Sequence, residues 1–428
     1  MRCVSTRGGA EVSIDAALSA GLAPDGGLYV PVSVPAVSIT TPGATLADTA
    51  LMVLQPFFAG SRLHDALRAI CDDAFTSDAP LRPMRGAGDF LLELFHGPTC
   101  AFKDFGARFL ASSLHALRGD AVSTLTILVA TSGDTGAAVA SAFQSLPGFR
   151  VVILYPEGGV SPRQAHGLEC WGDAVRTCRV QGTFDDCQAM AKAALSDTTL
   201  RARMPLASAN SISLGRLLPQ AAYHAHAALH CRALTGQPLN LVIPTGNLGN
   251  ACAAVMARRM GLPIGDIVLA TNANDTLPRF FAGAGYATQP SVPTLANAMD
   301  VGAPSNFERL RAWHADDAEL RASLTAHAVD DVTILDTIRR APAHHGVVPC
   351  PHTATALHVL EAIRARGDTR PWAACATAHP AKFADIVEPA IGAPVPVPPA
   401  LATMDARHAR FGRIAASPEA LVRVLLQA

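Results

Sequence analysis

Beyond residue 123 the chain alternates unbroken apolar, β-branched runs with helical patterns, and few folds tolerate that alternation. Residues 124–130 (TLTILVA) have no polar face. As a strand they must be covered on both sides. Similar runs predict strands at 150–155, 174–180, 239–243, 267–271 and 372–376. Helical spacing between them predicts helices at 137–143, 184–195, 214–234, 251–260, 332–340 and 353–364. Strands buried on both faces and separated by helices describe an α/β protein with parallel sheets. Residues 1–86 read differently. They hold two amphipathic helices, at 46–58 and 63–75, and a tight turn, Pro24-Asp25-Gly26-Gly27, that leads into an extended segment ending at Pro31. Residues 280–304 are loop-rich, and a proline-rich connection at 394–399 leads to a last helix at 418–426.

The length of 428 residues suits two or three domains with a large core. Half the residues are hydrophobic, 16% are charged and the formal net charge is −1, so no nucleic-acid or acidic-membrane partner is indicated. No apolar run is long enough to span a bilayer. The first residues lack the apolar core of a signal peptide, and a cytoplasmic protein is expected. Ten cysteines without a CxxC pair read as reduced, largely buried thiols. The fifteen histidines show no metal-binding spacing, so no metal is expected, and His224/His226 and His344-His345 read as structural.

Ligands of open α/β sheets sit beyond the carboxyl ends of strands. Four stretches occupy such positions. His96 to Gly106 follows an apolar run and places Lys103 in the first turn of a helix. The helix dipole and partial burial both disfavour a charged amine there, and a neutral lysine can form a Schiff base with a carbonyl cofactor. By itself, however, the Phe102-Lys103 pair reads first as a surface lysine lying over a ring. Asp104 and Arg108 form an i,i+4 pair able to brace this helix. Residues 131–136 (TSGDTG) form a small, hydroxyl-rich loop before a helix. Backbone N–H groups there suit a carboxylate, and equally Asp134 or Thr135 can simply cap the helix. Residues 245–250 bring Gly246 and Gly249 to the start of the helix expected at 251. Converging N–H groups and a helix dipole suit a phosphate monoester, although this is neither a Walker A sequence nor GxGxxG. Finally, Thr377 at a strand end offers a hydroxyl to a heterocyclic nitrogen or to the backbone. An aldehyde for Lys103, a phosphate for Gly246, Asn247, Leu248, Gly249 and Asn250, and a ring nitrogen for Thr377 together describe pyridoxal 5'-phosphate.

With these stretches the sequence resembles the threonine synthases, pyridoxal-phosphate enzymes of the tryptophan-synthase-β-like group (fold type II). HGPTCAFKDFG (96–106) and TAHPAKF (377–383) carry the specific resemblance. STRGG (5–9), SANSI (208–212), NANDTLPRF (272–280), TSGDTG and GNLGN extend it over nearly the whole chain. Asp134 stands where many relatives of the wider group carry Asn. The resemblance implies two parallel-sheet α/β domains with the cofactor in the cleft between them, plus an N-terminal extension. The expected division is 1–86, then a large domain from 87–120 and 215–428, and a small domain from 121–214.

The resemblance also implies conversion of O-phospho-L-homoserine and water to L-threonine and phosphate by γ-elimination and β-addition. Lys103 would hold the cofactor and move protons. Asp134 would contact the cofactor, and Ser132, Gly133 and Thr135 the substrate carboxylate. Ser161, Arg163, Asn210 and Lys382 are candidates for the substrate phosphate, Arg163 because a guanidinium fork matches a phosphate. A monomer or homodimer is expected. The rival readings are a serine/threonine dehydratase with the same cofactor and a non-catalytic relative that binds a phosphorylated metabolite.

Overall fold

The structure is a computed structural model and describes residues 1–428 apart from 120, 122 and 428. Two parallel sheets dominate it. The larger runs in the order Thr325–Ala328, Ile264–Thr271, Leu239–Pro244, Trp372–Ala376, Asp89–Glu93 and Leu81–Pro83. Only its last pair is antiparallel. The smaller runs Gly412–Ala415, Val175–Gln181, Phe149–Pro156, Leu125–Ala130 and Leu206–Ser208, all parallel. Every residue of Leu239–Pro244, Trp372–Ala376 and Leu125–Ala130 is buried, as strands covered on both faces require, and so is every residue of Asp89–Glu93, whose terminal carboxylates pair with Arg364 and Arg82.

A third, antiparallel sheet of Val12–Ser13, Arg2–Ser5 and Tyr29–Pro31 lies in the N-terminal region. The helix Leu46–Leu54 of that region packs on Gln220–Thr235, and Leu67–Ala74 packs on Lys103–Arg118. Leu46, Val53, Leu54, Phe57 and Phe58 are fully buried in this contact layer, each contributing roughly 1.5–3 kcal/mol of transfer free energy. The N-terminal region therefore supports the back of the helix that begins with Lys103. All ten cysteines are buried free thiols. Among the described residues, no helix is long and apolar enough to cross a membrane.

Four expectations change. The helix placed at 137–143 begins earlier, at Asp134, so Asp134 and Thr135 form its first turn rather than a loop. The single helix expected at 214–234 is two, Leu214–Leu217 and Gln220–Thr235, with Pro219 as N-cap of the second. Proline has no N–H to continue a helical ladder. The expected large domain included everything from 215 to 428. Instead, Gly412–Ala415 is the edge strand of the smaller sheet, and Pro418–Leu426 packs on Phe184–Ser196. That strand is short and largely exposed, so no apolar pattern marks it. Likewise Leu81–Pro83, expected in the N-terminal region, edges the larger sheet, where Pro83 is tolerated.

Candidate active site

Lys103 is the first residue of the helix Lys103–Arg118. A closed loop sets its position. The buried Asp104 carboxylate accepts from Thr99 N (2.8 Å) and Thr99 Oγ1 (2.7 Å). Gly97 lets the chain turn back, since a Cβ there would lie 2.4 Å from Asp104 Oδ2. Burial raises the Asp104 pKa. Arg108 does not pair with Asp104. Its Nε instead donates to Asp73 O at 2.9 Å, bracing the helix from outside. The loop is then clipped to the end of a central strand. Phe102 N donates to Thr377 O (2.9 Å), His379 N donates to Cys100 O (3.0 Å), and Ala101 pairs with Ala378. Lys103 and Thr377 are thereby held side by side.

The Lys103 ammonium lies 4.3 Å from the Phe102 ring centroid, the contact an ordinary surface lysine would also make. Its surroundings are not ordinary. It lines a cavity together with Thr377, Asp134 and every residue from Gly246 to Asn250. Burial, and then the Arg216 charge, push its pKa down to about 8, with Asp134 acting in the opposite direction.

The 245–250 stretch forms a cradle at the start of the helix Gly249–Arg259. A Cβ at Gly246 would sit 2.7 Å from Met299 Cα. Leu248 is held at φ 62°, a left-handed conformation rarely taken by a branched residue. The Asn247 side chain is tied at both ends, donating to Ser211 Oγ (2.7 Å) and accepting from Ser305 N (2.6 Å). Asn250 Oδ1 accepts from Tyr223 OH (2.8 Å) and from His224 Nε2 (2.7 Å). His224 is thus structural, as its sequence suggests, and what it positions is a cradle residue. Thr245 Oγ1 and Asn250 Nδ2 are buried without partners. Buried donors left unpaired are costly, and here they lie beside a helix N-terminus, where an anion satisfies both. The donor set fits the phosphate of pyridoxal phosphate, with the Lys103 amine available to its aldehyde.

The remaining candidates separate. Asp134 forms a buried ion pair with Lys382 (Oδ1 to Nζ, 2.7 Å), and Lys382 also donates to Thr99 O (2.8 Å). Burial alone would raise the Asp134 pKa, but Lys382 and Gln164 more than reverse this and the net shift is downward. Ser132, Gly133 and Thr135 adjoin Asp134 without lining the cavity. Gly133, at φ 135°, leaves no room for a side chain beside Gln164. Ser161 caps the helix Pro162–Glu169 and donates to Lys382 O (3.2 Å). Arg163 is engaged by Asp405 (3.0 Å) and Ala381 O (2.5 Å). Asn210 donates to Ala130 O (2.7 Å) and faces a separate cavity of about 550 Å³.

Among the polar lining residues, Arg216, Gln220 and His352 escaped the sequence reading, and Ser211 entered it only within SANSI, with no role. Burial lowers the His352 pKa to about 4, and its Nε2 accepts from Ala298 N (3.1 Å). Arg216 did leave a signal, as the one charge in the apolar stretch 214–219. His352 left none, because nothing in its neighbours separates it from a core histidine.

The fold and cavity define a pyridoxal-phosphate-dependent enzyme, and residues 82–380 match the family model described as "Pyridoxal-phosphate dependent enzyme". Residues 2–75 match "Threonine synthase N terminus" and 353–425 match "Threonine synthase, C-terminal". The threonine synthase of Haemophilus influenzae is 38% identical over 393 residues, covering 91% of each chain. The crystal structure of threonine synthase from Escherichia coli superposes with a TM-score of 0.92 at 35% identity, covering all of both chains. A pyridoxal-phosphate-bound threonine synthase from Brucella melitensis superposes with a TM-score of 0.89 at 32% identity, covering 100% of this chain and 99% of that one. The chain belongs to the threonine synthase family.

Proposed function

We propose that this enzyme converts O-phospho-L-homoserine and water to L-threonine and phosphate at the Lys103 cavity. The observation that carries the reading is the meeting, in one cavity, of a lysine of lowered pKa with a helix-start cradle whose Thr245 and Asn250 donors have no protein partner. Lys103 would hold the cofactor's aldehyde carbon. Gly246 to Asn250 would hold its phosphate through backbone N–H groups, the Thr245 hydroxyl and the Asn250 amide. Thr377 would face the ring nitrogen, and a hydroxyl there leaves the ring largely uncharged. When bound, pyridoxal phosphate supplies an electron sink for the charge left at the substrate's Cα.

This chain's own part is to orient the substrate and move protons. Neutral Lys103 Nζ takes the Cα proton and later returns one. Over the whole reaction the Cγ–O bond to phosphate breaks, Cβ loses one hydrogen and gains the hydroxyl of water, Cγ gains one hydrogen, and the departing phosphate takes up the balancing proton. The Ser132–Thr135 turn, beside the helix N-terminus at Asp134, suits the substrate carboxylate. Lys382 keeps Asp134 charged and fixed, which in turn holds that turn in place. Ser161 and Arg163 support the Ala381-Lys382 segment from outside. Asn210, facing the neighbouring cavity, is left as the candidate nearest open space for the substrate phosphate. A biosynthetic role fits the expected cytoplasmic setting, and a monomer or homodimer is the assembly proposed.

Purified protein supplied with cofactor and O-phospho-L-homoserine should release threonine and phosphate in equal amounts. A 2-oxo acid as the main product would instead make it a dehydratase. Cofactor binding without turnover would make it a binding protein.

A further inference from the structure

The helix Gln220–Thr235 carries three histidines, and they do not share a face. A helix turns about 100° per residue, so His224 and His226 point to nearly opposite sides. His224 is turned inward to Asn250 (Nε2 to Oδ1, 2.7 Å). His226 is half-buried, and His230, one turn further along the same face, is exposed. The two imidazoles of that face converge. Their Nε2 atoms stand 3.1 Å apart while the ring centroids are 4.4 Å apart, so the rings lean together at their nitrogen tips. Two bonds of about 2.0–2.1 Å to a common ion span such a separation at an angle of roughly 100°. Both tetrahedral and square coordination accept that angle.

His226 is also held in the tautomer that a ligand needs. Its Nδ1 lies 2.8 Å from the hydroxyl of the buried Thr49. That hydroxyl accepts from Gly43 N (2.9 Å) and has Thr45 O as its own acceptor (3.3 Å). All three contacts are made at once only when Nδ1 carries the proton and donates it to Thr49, which leaves Nε2 bare. A metal-ligating histidine is oriented in the same way, by the hydrogen bond of its other ring nitrogen. Burial, and then His230, bring the His226 pKa down to about 4, so no proton competes for Nε2 near pH 7. The exposed Asp78 acts on His226 in the opposite direction, which puts a negative charge near the pair.

We propose that His226 and His230 form a two-histidine site for a borderline transition-metal dication, Zn²⁺ or Cu²⁺, with Thr49 fixing the ligating tautomer and water completing the coordination. Imidazole nitrogens suit these ions and not Mg²⁺ or Ca²⁺. Among the described residues no group of three or more histidine, cysteine, aspartate or glutamate side chains gathers to hold a metal. The site is therefore open and exchangeable, unlike a four-ligand structural centre. Without the ion, His230 Nε2 donates to the bare Nε2 of His226. With it, His230 carries its proton on Nδ1. The ion sits where the helix Leu46–Leu54 meets Gln220–Thr235, and the site is independent of the chemistry proposed at Lys103. The sequence reading finds no metal-binding spacing, because an i,i+4 pair becomes one only when both residues lie on a helix face that reaches the surface.

The test is calorimetric titration of untagged, cofactor-loaded protein, first stripped of metal with a chelator, with Zn²⁺, Cu²⁺ and Mg²⁺ in turn. Wild type should bind Cu²⁺ more tightly than Zn²⁺ and Mg²⁺ not at all. His230→Gln and His226→Gln should each weaken Zn²⁺ binding at least about tenfold. His230 is exposed, so its variant keeps the fold even if the His226 variant does not. Thr49→Val, which keeps the shape and removes the hydroxyl, should weaken Zn²⁺ binding about tenfold. Saturating Zn²⁺ should raise the melting temperature of wild type and of neither histidine variant. Unchanged Zn²⁺ affinity in any folded variant of the three would overturn the assignment. So would Mg²⁺ binding as tight as Zn²⁺ binding, or a wild-type melting temperature that Zn²⁺ does not raise.

Discussion

At the residue scale the account turns on charges held in a dry cavity. Lys103 has an ordinary pKa of 10.5 and one of about 8 in the fold. Between those values the unfolded chain binds more protons than the folded one, so stability rises with pH across that window. The rise attributable to Lys103 is at most about 1.4 kcal/mol per pH unit. Urea unfolding of cofactor-free wild type and Lys103→Met across the window should show the difference in stability between them shifting in favour of the wild type by up to this slope, the buried thiols common to both cancelling. The buried Lys382–Asp134 pair makes a second prediction. Lys382→Met leaves Asp134 charged and unpaired, and should cost roughly 3–5 kcal/mol. Adding Asp134→Asn should restore most of that loss, as a double-mutant cycle in urea would reveal. The reactive lysine and the cradle glycines were legible in the sequence because their local contexts are unusual. Arg216, His352 and the Lys382–Asp134 pair were not, since their roles come from neighbours distant in the chain.

At the scale of elements, short loops at strand ends do the positioning. The cradle approaches the Asn297–Met299 turn so closely that only glycine fits at 246. Gly246→Ala should shift that turn, cost roughly 1–3 kcal/mol, and weaken cofactor binding measured by titration. An unchanged cofactor affinity would mean that the loop does not hold the phosphate. Continuous apolar strands were readable because burial on both faces dictates their composition. Element ends were less so. The helix at Asp134 begins three residues early because Thr131 Oγ1 accepts from Gly133 N (3.0 Å) and Gly136 N (3.1 Å), a closure no apolar pattern records. The break at Pro219 was marked by the proline itself, but the apolar run on either side obscured it.

At the scale of the whole molecule, the chain returns at its end to the sheet it left near residue 208. Gly412–Ala415 covers the edge of Val175–Gln181, and Leu421 and Leu425 are buried in the same core as Val152 and Leu154. Removing residues 412–428 should abolish hydrogen-exchange protection in Val175–Gln181 while leaving Leu239–Pro244 protected. Retained protection in Val175–Gln181 would show that the tail is dispensable to the smaller sheet. Such a return is hidden from sequence, because a four-residue, mostly exposed edge strand has neither length nor alternation.

The central claim is that Lys103 is the residue to which the cofactor attaches. The chain has only three lysines, Lys103, Lys192 and Lys382, so it can be tested directly. Cofactor-loaded protein is reduced with borohydride, digested, and its peptides are mapped by mass. The pyridoxyl mass should appear on the peptide containing Lys103 and on no other. Its appearance on the Lys192 or Lys382 peptide, or its absence from protein that has demonstrably bound cofactor, would contradict the account.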